Sequence, residues 1–168
     1  AGVPGVFDVG VQDQRPIEAR DDVLVYTSEP LDQDTEVTGH VNLTLWAVTS
    51  ALDTDWTAKL VDVHPDGSAS NVCDGILRAR YRNSLEGAAS IEPDKAYRYR
   101  IDVGPTSMVF KKGHSIRLEV SSSNFPAYAR NLNTGGLHDQ ESEPRPAVQT
   151  ILHDADHLSA LELPVVRR

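Results

Sequence analysis

Ile116, Leu118 and Val120 alternate with Ser115, Arg117, Glu119 and Ser121. That period of two fits a strand with one buried face and is wrong for an amphipathic helix. The pattern recurs along the chain. Between Glu36 and Thr49, Val37, Gly39, Val41, Leu43 and Leu45 share one face, and Thr38, His40, Asn42, Thr44 and Trp46 take the other. Tyr97 to Val103 alternates as cleanly and is predicted to stop at Gly104-Pro105, with Ser107 to Phe110 a separate short strand. Strands with one apolar and one polar face belong to sheets covered on one side, as in an antiparallel sandwich.

Punctuation between these runs supports the same reading. Val23 to Thr27 is a short β-prone run closed by Ser28-Glu29-Pro30, and Trp56 to His64 is another, ending in the hairpin signal Pro65-Asp66-Gly67. The segment from Val72 to Asn83 is read as a strand over Ile76 to Arg82, although a short helix fits it too. Val148 to His153 and Leu158 to Val165 are expected to close the fold as a hairpin around Asp154-Ala155-Asp156-His157. About nine short strands with little helix define an all-β sandwich or barrel. Residues 1–22, rich in Gly, Pro and polar groups, read as a connecting arm, and 23–168 as the body. The nine acids between Asp8 and Glu36, against Arg15 and Arg20, read as a solvated acidic edge or a docking surface for a basic neighbour.

Charge and composition narrow the function. A chain of 168 residues with net charge −9 lacks the basic patch that a nucleic-acid partner requires. No apolar run approaches the roughly 18 residues of a membrane span, so no membrane partner is expected. Cys73 is the single cysteine, which excludes an internal disulfide. The N-terminus has neither an initiator Met nor the features of a signal peptide, and the chain is expected to be a fragment or processed product.

Catalytic chemistry is hard to find. A serine hydrolase of the α/β class places its nucleophile in Gly-x-Ser-x-Gly. Here Gly113-His114-Ser115-Ile116-Arg117 lacks the second glycine and lies in a strand pattern, where His114 shares the face of Ile116 and Leu118. His153 and His157 have helical metal-site spacing but sit in a turn between strands. Asp53 and Asp55 offer hard oxygens to a calcium ion, or cap their own turn. Trp46, on the polar face of its strand, and Trp56, beside Asp55, are candidate platforms for a sugar, or else core residues. The strand from Ser115 ends at Ser121-Ser122-Ser123, and the loop that follows carries Asn124, Phe125, Pro126, Tyr128, Arg130 and Asn131. Aromatic anchors with an Arg are what interface cores prefer.

The run from Lys112 through Gly113-His114-Ser115-Ile116-Arg117-Leu118-Glu119-Val120 to Ser123-Asn124-Phe125-Pro126, followed by Arg130-Asn131-Leu132-Asn133-Thr134-Gly135, resembles the C-terminal domain of the cocaine esterase / X-Pro dipeptidyl-peptidase family of serine hydrolases. Asp13-Gln14, Glu18, Arg20 and Asp22 resemble the run that leads into that domain. The resemblance covers about residues 12 to 166 and implies a jelly-roll β-sandwich of the galactose-binding-like type, a fold in which sugar and calcium sites also occur. It further implies a non-catalytic chain with no cofactor. Its partner would be the α/β-hydrolase catalytic domain of the same polypeptide, with a contribution to dimerisation open. The catalytic Ser, Asp and His of the family lie outside this segment, and the 124–131 loop would help wall the substrate cleft. A free-standing carbohydrate- or calcium-binding module is the alternative.

Overall fold

The computed structural model describes residues 10–137 and 140–167. Within them the strands are β1 (Leu24–Thr27), β2 (Thr35–Thr49), β3 (Asp55–Val63), β4 (Ala69–Arg78), β5 (Tyr97–Phe110), β6 (Ser115–Ser121), β7 (Gln149–Leu152) and β8 (Ala160–Glu162). One short helix, α1 (Arg15–Glu18), precedes them, with Pro16 in its first turn, where a missing N–H costs nothing. Among the described residues no helix is long and apolar enough to cross a membrane.

All pairings between these strands are antiparallel, in two sheets ordered β1-β6-β3-β4 and β5-β2-β7, with β8 also on β2. The all-β sandwich expected from the alternation is the observed architecture. In β2 it holds residue by residue: Val37, Val41, Leu43, Leu45 and Ala47 are buried, and the residues between them are not. Their core partners include Trp56 and Leu60 on β3, Tyr99, Ile101 and Val103 on β5, and Val120 on β6.

β3 departs from a one-sided pattern, because both its faces are buried. The cause is the segment before β1. Gln14 donates its backbone N–H to Ala69 O at 2.8 Å, Lys59 Nζ donates to Gln14 Oε1 at 2.7 Å, and Gln14 is 2% exposed. From Gly10 onward the arm therefore covers the outer face of the first sheet.

Three expectations change. The break at Gly104-Pro105 does not occur: β5 runs through it as one strand. Its register against β2 slips, Val41 facing Gly104 and Asn42 facing Asp102, and Gly104 takes φ +103° there. Because β5 is an edge strand, the N–H that Pro105 lacks need not serve an outer neighbour. The closing hairpin is also absent. β7 pairs Trp46–Thr49 and β8 pairs Asn42–Thr44, so the two lie end to end along β2 rather than against each other. Finally, the strand read over Ile76 to Arg82 ends at Arg78 and turns into a 3₁₀ turn, Ala79–Tyr81. Ala79 N donates to Thr54 O at 2.8 Å and Arg80 N to Asp53 Oδ1 at 3.0 Å, which draws the chain off the ladder.

Candidate functional site

At the end of the sandwich where β3 begins and β6 finishes, the turn before β3 brings in two buried carboxylates. Asp53 accepts from Arg80 Nε at 2.7 Å, and Asp55 accepts from Arg78 Nε at 2.9 Å and Nη2 at 3.2 Å. Asn131 Nδ2 donates to Asp53 Oδ2 and Asp55 Oδ1, both at 2.9 Å, and ties the 124–131 loop to this pair. A calcium ion would have to displace two guanidinium groups from these oxygens, which corrects the reading of Asp53 and Asp55 as metal ligands. The sugar-platform reading of Trp56 is corrected as well. Its ring is 1% exposed and packs on Tyr99 at 5.7 Å between centroids. Trp46 is half-buried, with His157 set edge-on to its ring at 5.1 Å.

The loop after β6 is anchored from beneath and bare above. Asn124 Nδ2 donates to Asp74 Oδ2 at 2.9 Å, Tyr128 N donates to Asn124 O at 3.1 Å, and the Phe125–Pro126 peptide is cis. The Arg130 guanidinium lies 5.3 Å from the centre of the Phe125 ring, yet that ring is 63% exposed. Tyr128 is partly exposed too. Asn124, Phe125 and Arg130 line a cleft of about 330 Å³, together with Ile17 and Arg20 of the arm and with Val23.

Lys59 and Glu119 also line this cleft, although alternation placed Glu119 on the polar face of its strand and so in solvent. Both are nearly buried, their charged ends 3.7 Å apart, because the arm lies over them. Glu18 reaches in from α1 to accept from Arg117 Nη1 at 2.7 Å. Among the described residues, the Oε1 atoms of Glu18 and Glu119 are buried without a hydrogen-bond partner. Burial pushes the Glu119 carboxyl up to about 7; Lys59 opposes the shift and the neighbouring Glu18 reinforces it. The only sequence signal was the Asp13-Gln14…Glu18 run itself, whose packing on β3 and β6 alternation does not encode.

The folded state therefore takes up a proton at Glu119 that the unfolded chain releases near pH 4.5. The stability it contributes is complete below that pH and is lost as pH rises through about 7. Glu119→Gln is expected to remove this fall, which amounts to on the order of 3 kcal/mol. Urea unfolding of both proteins from pH 4 to 8 measures it, and an equal fall in the variant would rule out Glu119 as its source.

Residues 3–162 match the family model described as the X-Pro dipeptidyl-peptidase C-terminal non-catalytic domain, and the chain belongs to that family. It is 50% identical over 163 residues to the cocaine esterase of Rhodococcus sp. (strain MB1 Bresler), covering 96% of this chain and 28% of that protein. Among solved structures, an aminopeptidase from a marine sediment Thaumarchaeota archaeon superposes with a TM-score of 0.88 at 36% identity, over 94% of this chain and 28% of that one. An α-amino acid ester hydrolase superposes with a TM-score of 0.83 at 30% identity, over 93% of this chain and 27% of that one. The chain thus spans less than a third of the length of these relatives.

Proposed function

We propose that this chain docks on the α/β-hydrolase catalytic domain of the same polypeptide and helps to bound its substrate cleft. The contact face is the one formed by the arm and the 124–131 loop. The observation that carries this reading is Phe125: an aromatic ring on an anchored loop, with Arg130 against it and 63% of its surface bare. Aromatic and Arg side chains preset in this way are the usual energetic centres of protein interfaces. Exposed Ile17, which lines the same cleft, extends the apolar surface. On this reading the chain alone has no hydrolase activity, and the longer protein carries the serine-hydrolase chemistry. The rival, a free-standing carbohydrate- or calcium-binding module, has less support, since Trp56 is buried and Asp53 and Asp55 hold arginines.

The test titrates this chain into the catalytic part of the Rhodococcus esterase, prepared without its own C-terminal domain, and follows the complex by sedimentation. A one-to-one complex is expected. Phe125→Ala is expected to weaken it by about 2 kcal/mol, as truncation of a central aromatic anchor does. Absence of a complex, or an unchanged affinity for Phe125→Ala, removes this face from the proposal. The same runs on the chain alone report whether it dimerises.

A further inference from the structure

At the far end of the sandwich, the inner faces of β3 and β6 run out of apolar residues. Ala58 and Leu60 face Val120 and Leu118, and Asp62 faces Ile116. The next inward positions in this series are His64 and His114. These three groups, Asp62, His64 and His114, each place one ligand atom within 4.8 Å of the others. His114 Nδ1 lies 2.9 and 3.1 Å from the two Asp62 oxygens, and His64 Nε2 lies 3.5 Å from Asp62 Oδ2. The imidazole rings lean on each other with centroids 4.5 Å apart and a tilt of 36°.

We propose that Asp62, His64 and His114 form a binding site for a divalent transition-metal ion of the zinc type. Zinc held at about 2.0–2.1 Å by nitrogen and oxygen sets its tetrahedral ligands about 3.3–3.4 Å apart. The separations of 3.1 and 3.5 Å to Asp62 Oδ2 bracket that spacing. Two imidazoles and one carboxylate select a borderline transition ion over calcium or magnesium, which take oxygen. The fourth position is left to water.

The frame is rigid. His64 N donates to Ser68 O at 2.8 Å, Leu31 N donates to His114 O at 2.8 Å, and Gly113 N donates to Leu31 O at 2.8 Å. Asp62 is 6% exposed and fixed in the ladder, whereas the His64 side chain is 40% exposed and gives an ion a route in. On binding, the ion takes the place of any proton shared between His114 and Asp62, which leaves to buffer. The β3–β4 hairpin and the turn before β6 are thereby clipped together. The site is independent of the docking face, since the seven-residue step from Asp55 to Asp62 along β3 separates the two ends by roughly 23 Å.

Calorimetry of zinc chloride into the chelator-stripped 168-residue chain tests the proposal. One ion per chain is expected, with proton release and a rise in melting temperature that a chelator reverses. Cobalt(II) bound in its place should show the strong visible absorption of a four-coordinate ion. His64→Ala, at an accessible position, is expected to fold normally and to lose at least about 100-fold in affinity, more than a lost outer-sphere partner costs. His157→Ala, in the turn that carries Asp154, is expected to bind as the parent does. No binding by the parent, or binding that survives His64→Ala but not His157→Ala, overturns the assignment.

Discussion

Gly75→Ala is expected to abolish the fold or to cost more than about 3 kcal/mol, the upper end of what overpacking produces. A Cβ at position 75 would stand 1.9 Å from Asp102 O and 2.9 Å from both Asp102 C and Val103 Cα. All three are backbone atoms, so no rotamer change can relieve the contact. Here β4, the edge of one sheet, runs directly against β5, the edge of the other, and the sandwich closes along that seam. Gly87→Ala is the matched control, because nothing lies within 4 Å of its added methyl. Thermal unfolding of the two variants measures the contrast. A Gly75→Ala protein within about 1 kcal/mol of the parent would mean that the sheets do not meet so closely.

Arg80→Ala should be nearly as damaging. Asp53 is 1% exposed, and its carboxylate depends on the Arg80 guanidinium at 2.7 Å for its charge partner. Removing one member of a buried ion pair costs about 3–5 kcal/mol, because the remaining charge has neither water nor a counterion. The same guanidinium donates from Nη2 to Gly136 O at 2.9 Å, so the loop that follows Asn131 also loses its hold. Adding Asp53→Asn to Arg80→Ala removes the stranded charge and is expected to recover part of the loss. Denaturant titration of the single and double variants forms the cycle. A double variant no more stable than the single one would show that burial of the charge is not the source of the cost.

These two sites mark where sequence pattern stops informing. Alternation located β2, β5 and β6, and a β-prone run closed by a turn signal located β3, because both properties are local. Gly75, just before the strand read over Ile76 to Arg82, shows its constraint only when β5, carrying Asp102 some 27 positions later, is brought against it. Pro105 reads as a stop because the sequence does not say that β5 is an edge. β7 and β8 read as each other's partners because nothing local reveals that β2 is long enough to hold both. The candidate face divides in the same way. Asn124, Phe125, Tyr128, Arg130 and Asn131 stood out as a loop with anchors, but the arginines that hold Asp53 and Asp55 are visible only in three dimensions. Burial of Glu119 required knowing that the arm lies across β3. The face of His114 was legible from alternation, whereas its meeting with Asp62 and His64 needed the register of β3 against β6.

The placement of β7 and β8 along β2 bears on how the polypeptide survives its own synthesis. β2 pairs on one edge with β5, but its other edge is completed by Gln149–Leu152 and Ala160–Glu162. At roughly 5–20 residues per second, translation of the roughly 110 residues from Thr49 to Glu162 occupies on the order of 10 s. For that interval a long strand rich in Val and Leu has an open hydrogen-bonding edge, the template on which nascent chains aggregate. Ribosome-stalled chains ending shortly before Gln149 should accordingly be the species most dependent on chaperones.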